Sequence, residues 1–268
     1  MTQGRGRVSV WLEKRPAAKR PGVKRRSGSG SDAQPDGLDR ERITATAVRI
    51  LDADGLARFS MRRLAAELGV TAMSVYWYVD SKEDLLELAL DAAQGELEAP
   101  GGAGDWRQQL RAVAHDRRAL LRRHPWAPAL IGRCLDIGPR ARAYASGVRL
   151  LLLDAGIPER QADGALTALF SFVHGHAAAE TGWDGRCREA GLSPGECRRA
   201  LRESSPGSVP VVGQRDGDGL DARERDFAVA LDCVIEGIGA LAPTGPAHAG
   251  LSRTAVTPPA PPGCPARP

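Results

Sequence analysis

Between residues 59 and 82, FSMRRLAAELGVTAMSVYWYVDSK, apolar positions recur at helical spacing, stop at a glycine, and resume. Ser60 is placed to cap a helix whose inward positions are Leu64, Ala65 and Leu68, and Gly69 ends it where a left-handed residue is needed. Thr71 caps a second helix, with Val70 before the cap and Val75 inside it at the spacing of a hydrophobic staple. Two short helices about a glycine turn predict a helix-turn-helix. The second helix of that motif enters the major groove, where its first residues meet base edges. Ala72 and Met73 can touch a thymine methyl, Ser74 can donate or accept, and the hydroxyls of Tyr76 and Tyr78 suit phosphate oxygens. Arg62, in the first turn of the preceding helix, can reach a guanine edge, and Lys82 a phosphate. Clustered aromatics more commonly form a core. Here only Val75 and Val79 fall on the buried side, so Met73, Tyr76, Trp77 and Tyr78 need a partner outside the domain.

The same periodicity runs on both sides of this motif. Asp39 caps a helix with Ile43, Ala47, Ile50 and Leu51 on one face, Leu38 stapled to Ile43, and Gly55 at its end. Ser81 starts another, with Glu83 and Asp84 at the positive end of its dipole. Leu85, Leu86, Ala89, Leu90, Ala93 and Leu97 keep helical spacing, which predicts one connecting rod. PGGAG at 100–104 marks a domain boundary. Beyond it, Asp105 and Gln108 form a capping box for a helix bearing Trp106, Leu110, Val113, Leu120 and Leu121, stopped by His124 and Pro125. A further helix opens at Gly138 and Pro139, carries Tyr144, Val148, Leu151, Leu152 and Ala155, and closes at Gly156. The next spans Pro158 to Thr181 with Leu166, Leu169, Phe170, Val173 and Ala177 inward. Residues 182–220 read as a mobile Gly, Pro and Arg-rich stretch with one short helix after Ser193. Asp221 with Glu224 caps a last helix bearing Phe227, Leu231, Val234, Ile235, Ile238 and Leu241.

These elements predict an all-α chain: a basic arm over 1–37, a helix-turn-helix domain with its connecting helix over 38–99, a second helical domain over 105–241, and a tail over 242–268. Eight prolines in that tail argue for disorder there. Charge changes the picture only at the front. The chain carries a net +4, but residues 1–37 alone hold nine Lys or Arg against Glu13, Asp32 and Asp36, a net +6 that leaves the rest at −2. The arm therefore reads as a disordered, phosphate-attracting tail, with Arg25 or Arg26 able to enter a minor groove; a solvated extension without ordered contact is the other reading.

Chemistry of other kinds is scarce. The five cysteines are odd in number, widely spaced and lack a CxxC, which suggests a reducing cytoplasm rather than a disulfide framework or zinc site. No apolar run approaches the roughly 18 residues that span a bilayer, so no membrane association is expected. An all-helical enzyme is the rival class, yet there is no Glu-x-x-His pair, P-loop or Gly-x-Ser-x-Gly elbow. Asp216, Asp218 and Gly219 resemble a calcium loop, but counting from Gln214 puts Arg225 where a bidentate Glu is required. His174 and His176 lie roughly 200° apart on a helix and cannot share one metal. His176 and Glu180, four apart, can hydrogen-bond.

RRLAAELGV, the YWYV run from Tyr76 to Val79, and SKEDLL from Ser81 to Leu86 together resemble the DNA-binding domain of the TetR family of bacterial repressors, over about Leu38 to Leu97. The resemblance places Arg62, Tyr76, Trp77, Tyr78 and Lys82 at DNA-contacting positions and Ala72 and Met73 at variable specificity positions. Ser60, Arg63, Thr71 and Ser74 complete the expected DNA-binding set. It implies a homodimer whose second domain binds a small effector, with tilt of the connecting helix altering the separation of two recognition helices. Helices 158–181 and 222–241 resemble the family's four-helix dimer interface; that they complete one subunit's core is the lesser alternative, since periodicity does not say which chain lies opposite. Two recognition helices ~34–36 Å apart would read a palindrome on double-stranded DNA. Effector-binding candidates are Trp106, Trp126, Phe170 and His174. Tetracycline-type members use histidines late in the fourth helix and shortly after the fifth to bind a magnesium-drug complex; residues 82–114 and 127–138 contain none. The expectation is a repressor released by a mostly apolar effector, without metal or cofactor. A DNA-binding architectural protein without an effector is the second alternative.

Overall fold

The computed structural model describes residues 9–12, 38–101, 104–204 and 220–242, and among these every regular element is a helix. The first four helices form the N-terminal half: α1 (Arg40–Asp54), α2 (Met61–Leu68), α3 (Ala72–Tyr76) and α4 (Lys82–Gln94). Six follow: α5 (Trp106–Arg123), α6 (Ala127–Ile131), α7 (Pro139–Asp154), α8 (Glu159–Glu189), α9 (Pro194–Ser204) and α10 (Leu220–Gly239).

Five of the caps that the sequence offers are used. Side chains of Asp39, Ser60, Thr71, Ser81 and Asp105 each accept a backbone N–H of the following first turn, satisfying donors that no helix can satisfy internally. Gly55, Gly69, Gly156 and Gly191 have positive φ at helix ends, where a side chain would be strained. Ile43, Ala47, Leu51, Leu64, Val75 and Leu85 are fully buried and belong to one hydrophobic core shared with the later helices.

Several elements depart from the sequence-based reading. The connecting helix ends at Gln94 and not beyond Leu97, because the N–H groups of Glu96 and Leu97 bond three residues back and tighten the last turn. The long helix α8 continues past Thr181 to Glu189, since Cys187 is buried and Asp184 pairs with Arg223 of α10 at 2.8 Å. Tertiary contacts there outweigh the helix-weakening Gly182 and Gly185. The short helix after Ser193 is α9, with Ser193 and Glu196 bonding reciprocally at its start. α10 begins at Leu220, so Asp221 lies inside it and not before it. α6, too short to show periodicity, is additional.

The N-terminal arm is the largest difference. Ser9–Leu12 form a turn docked on the protein, with Ser9 buried, whereas a disordered arm through residue 37 is what composition predicts. The basic cluster at 14–26, the calcium-like stretch from Gln214 to Gly219, and the tail beyond 242 lie outside the described residues.

Candidate nucleic-acid interface and effector site

The helix-turn-helix is built by local chemistry. Ser60 Oγ accepts from Arg63 N at 3.2 Å to start α2, and Gly69, at φ 69° and ψ 28°, turns the chain while Val70 N bonds Ala65 O at 3.0 Å. Thr71 Oγ1 then accepts from Ser74 N at 3.2 Å and lies 2.9 Å from Ser74 Oγ. α3 has five residues, and the helical path loosens through Trp77 as both Tyr78 N and Val79 N bond Val75 O. Val75 and Val79 are buried, and they anchor the turn. Met73, Tyr76 and Trp77 are 69%, 41% and 69% exposed. Three large apolar side chains thus stand on one short tip without covering from the protein, which is costly in water unless something else covers them.

The DNA-contact candidates divide by what already holds them. Arg62 is exposed and in no ion pair among the described residues. Arg63 bends back toward Asp54 (3.5 Å) and Glu67 (3.9 Å). Ser60, Thr71 and Ser74 spend their hydroxyls within the caps, while Ala72 and Tyr78 are half-buried against the core. Lys82 Nζ donates to the carbonyl of Phe59 at 2.8 Å and sits 5.6 Å from that ring's centre, so it is turned inward here.

α4 connects this tip to the remaining helices through a polar row that the hydrophobic pattern did not reveal. Asp84, Glu87, Asp91 and Gln94, spaced 3, 4 and 3, share one face, and all four are buried. Asp91 Oδ1 accepts from Arg140 N (3.0 Å) and Ala141 N (3.1 Å), capping α7 from outside because Gly138 has no side chain to do so. Gln94 donates to Asp136, and its Oε1 accepts from Arg117 Nη1 at 3.2 Å. A second joint lies at the end of α1, where Asp52 Oδ1 accepts from Trp126 Nε1 at 2.6 Å and faces His124 Nδ1 at 2.7 Å; His124 Nε2 faces Glu96 at 3.1 Å.

The effector candidates are not brought into one group. Phe170 lies under the Arg117 guanidinium at 4.2 Å and stacks on Tyr144 with centroids 5.9 Å apart. Burial pulls the Arg117 pKa below its ordinary value despite Asp136 nearby, and pushes the Tyr144 phenol up to about 12. Arg117 Nε is buried without a hydrogen-bond partner among the described residues. His174, one turn beyond Phe170, faces the carbonyl of Pro128 at 2.9 Å, so its Nε2 carries the proton. Trp126 is committed to Asp52 at the domain joint, and Trp106 lies under Arg107 at the start of α5, 4.4 Å away.

Behind Phe170, on α5, α8 and α10, sits a charged cluster of which sequence reasoning found only the His176–Glu180 pair, 3.5 Å apart. Arg118 forks onto Glu180 at 3.0 and 2.6 Å, reaches Glu224 at 2.6 Å, and covers Phe227 at 4.3 Å. Burial alone would raise the Glu180 carboxyl, but hydrogen bonds from His176 and Arg118 bring it down to about 2. Among the described residues no group of His, Cys, Asp and Glu is arranged to hold a metal ion, and no helix is long and apolar enough to cross a membrane.

Comparison with known proteins places this geometry. Residues 43–89 match the family profile "Bacterial regulatory proteins, tetR family", and residues 99–242 match "Tetracyclin repressor-like, C-terminal domain". The HTH-type transcriptional repressor DrrR1 of Streptomyces coeruleorubidus is 33% identical over 211 residues, 76% of this chain and 78% of that protein. Tetracycline repressor class D of Escherichia coli is 26% identical over 214 residues, 75% of this chain and 94% of that one. Among solved structures, ActR of Streptomyces coelicolor in complex with actinorhodin superposes with a TM-score of 0.65 at 29% identity, covering 78% of this chain and 99% of that one. With one profile on the helix-turn-helix and the other on more than half of the chain, this protein belongs to the TetR family of transcriptional regulators, with a helix-turn-helix DNA-binding domain and a tetracycline-repressor-like C-terminal domain.

Proposed function

We propose that the chain acts as a homodimeric repressor that occupies a palindromic operator and leaves it when a small, mostly apolar effector binds against Phe170. The observation that carries this reading is the uncovered tip formed by Met73, Tyr76 and Trp77 on α3, together with an exposed Arg62 on α2. Apolar side chains on a recognition helix and an arginine fork from the helix before it suit thymine methyls and guanine edges. Lys82 would exchange the Phe59 carbonyl for a phosphate.

Coupling between the two halves has a physical route in this reading. Arg117 touches both the Phe170 ring and the Gln94 amide of α4. An effector seated on Phe170 that offers an acceptor to Arg117 would loosen its bond to Gln94 and shift α4. Relatives such as ActR hold their own compounds; here the half-buried Phe170 ring, with the Arg117 guanidinium against it, favours a largely apolar molecule with one or two polar edges.

Selection of bound genomic fragments, followed by anisotropy titration, tests the DNA reading. Arg62→Ala is expected to cost about 1–3 kcal/mol on the selected site and to relax one base position, whereas Lys82→Ala should weaken all sequences alike and flatten the salt dependence. Unchanged discrimination in Arg62→Ala would remove its assigned role. An affinity that no small molecule alters would instead favour a DNA-binding protein without an effector.

Dimerisation is supported by a row of small residues on the outer side of α8: Gly164, Ala168, Ser171, Gly175 and Gly182, which lets a second backbone approach closely. A Cβ added at Gly175 meets nothing within 4 Å in the subunit. Gly175→Glu is therefore expected to leave the subunit folded but to yield monomers by analytical ultracentrifugation, with operator affinity reduced more than tenfold. A Gly175→Glu dimer of undiminished stability would exclude this face.

A further inference from the structure

Ser9–Leu12 make a specific contact with the connecting helix. The Ser9 hydroxyl donates to Glu87 Oε2 at 2.5 Å, and Val10 N donates to the same oxygen at 3.1 Å. Ser9 Oγ also accepts from Trp11 N at 3.2 Å, and Leu12 N bonds Ser9 O at 3.3 Å. These bonds make a closed turn whose polar groups are aimed at one carboxylate, while Val10 and Trp11 pack on the hydrophobic core. Ser9 is 3% exposed and Glu87 8%. A carboxylate this buried is costly without donors, and on Glu87 they come from residues 77 and 78 positions away in the chain.

The contact has a telling position. Glu87 also borders a cleft of about 650 Å³ between the two halves, walled by Leu56 and Lys82 on one side and by Leu130, Arg133 and Cys134 on the other. α4 is thus incompletely packed against α6 just where the N-terminal turn holds it. Immediately after Leu12 come the basic residues Lys14, Arg15, Lys19, Arg20, Lys24, Arg25 and Arg26, and the chain is anchored again at Leu38, which packs on the same core.

We propose that Ser9–Leu12 is an intramolecular clasp: α4 carries, around Glu87, a binding site for the chain's own Ser-Val-Trp-Leu segment, and its occupancy keeps the basic residues that follow beside the DNA-binding domain. Two anchors in place of one raise the effective concentration of those cations at a bound duplex. Because the clasp grips the helix that links the two domains, any shift of α4 that separates Glu87 from the turn also removes the first of the two anchors. The role of the clasp in DNA binding rests on the repressor reading above; its docking does not.

The test uses the full chain with Ser9→Ala, Trp11→Ala, Glu87→Ala and the Trp11→Ala/Glu87→Ala double variant. Hydrogen exchange on the free protein should show the amides of residues 10–12 at least ~10-fold slower than in an unstructured peptide, with that protection lost in Ser9→Ala and Glu87→Ala. Amides that exchange freely in the unaltered protein overturn the clasp. Binding to a mixed-sequence 30-base-pair duplex at low salt should fall about three- to tenfold in each single variant. The double variant should be no weaker than the worse single one, because both changes open the same contact. Additive losses, or an affinity indifferent to clasp opening, overturn its part in DNA binding. Should Glu87→Ala fail to fold, Ser9→Ala and Trp11→Ala on the turn decide the matter. If the unaltered chain binds no duplex, the repressor reading falls and exchange alone judges the clasp.

Discussion

Glu180→Ala should destabilise the subunit by about 3–5 kcal/mol, as expected when one member of a buried ion pair is removed. The Arg118 and Glu180 side chains are 4% and 2% exposed. Without the carboxylate, Arg118 keeps only Glu224, itself 44% exposed, and the face of Phe227. The residual cost is that of a buried guanidinium lacking its forked partner. Replacing both members with apolar residues, as in Arg118→Met/Glu180→Leu, should restore most of the loss, because no charge then remains to be desolvated. Urea midpoints of the unaltered protein and the two variants measure this; a double variant as unstable as Glu180→Ala would show that packing, not charge, is what Glu180 supplies. The same pair gives an acid signature. With the Glu180 carboxyl held at about 2 in the folded chain and near 4.5 when unfolded, its contribution is complete above the unfolded value and is lost as pH falls toward 2. On the order of 2–3 kcal/mol should disappear across that window in the unaltered protein and not in Glu180→Gln.

That ion pair also shows where the sequence stops being informative. Features fixed within four residues were legible: the caps at Asp39, Ser60, Thr71, Ser81 and Asp105, and the positive-φ glycines at 55, 69 and 156. The recognition tip was legible for a related reason. Val75 and Val79 face inward, and Met73, Tyr76 and Trp77 stand outward as their spacing requires, while Tyr78 departs from that reading and packs half-buried on the core. What escaped depends on partners far away in the chain. Arg118 finds Glu180 62 positions on, and its burial has no periodic signature in an arginine-rich helix. The acidic row of α4 reads as a solvated face until α7, Asp136 and the Ser9 turn arrive to cover it. The same holds for α8, where two glycines mark a stop that the Asp184–Arg223 pair overrides. Of the four proposed effector contacts, Phe170 keeps the polar neighbourhood that recognition needs. Trp126 shows the opposite: a buried tryptophan whose N–H is already spent on Asp52 serves the joint between domains.

The joint between α4 and α7 supplies the second large effect: Gly138→Ala should cost about 2–4 kcal/mol, although this glycine has an ordinary extended backbone at φ −61° and ψ 160°. The requirement is for space. A Cβ at this position would lie 2.1 Å from Asp91 Oδ1 and 2.7 Å from Asp91 Cβ, so Asp91 must swing away. The N–H groups of Arg140 and Ala141 then lose their acceptor, and a carboxylate that is 3% exposed loses two donors. Each unsatisfied buried group of this kind costs about 1–3 kcal/mol. Asp91→Ala removes the same bonds and the two nearest atoms but keeps its Cβ 2.7 Å from the new one, so the pair should cost more than either change alone yet less than their sum. Thermal unfolding of the two single variants and the pair measures this directly. Fully additive losses would mean that Gly138 is constrained by something other than Asp91. Since the bond broken is one that fixes α4 against α7, Gly138→Ala should also weaken whatever response an effector produces at DNA more than it weakens DNA binding itself, a difference that titrations with and without effector can resolve.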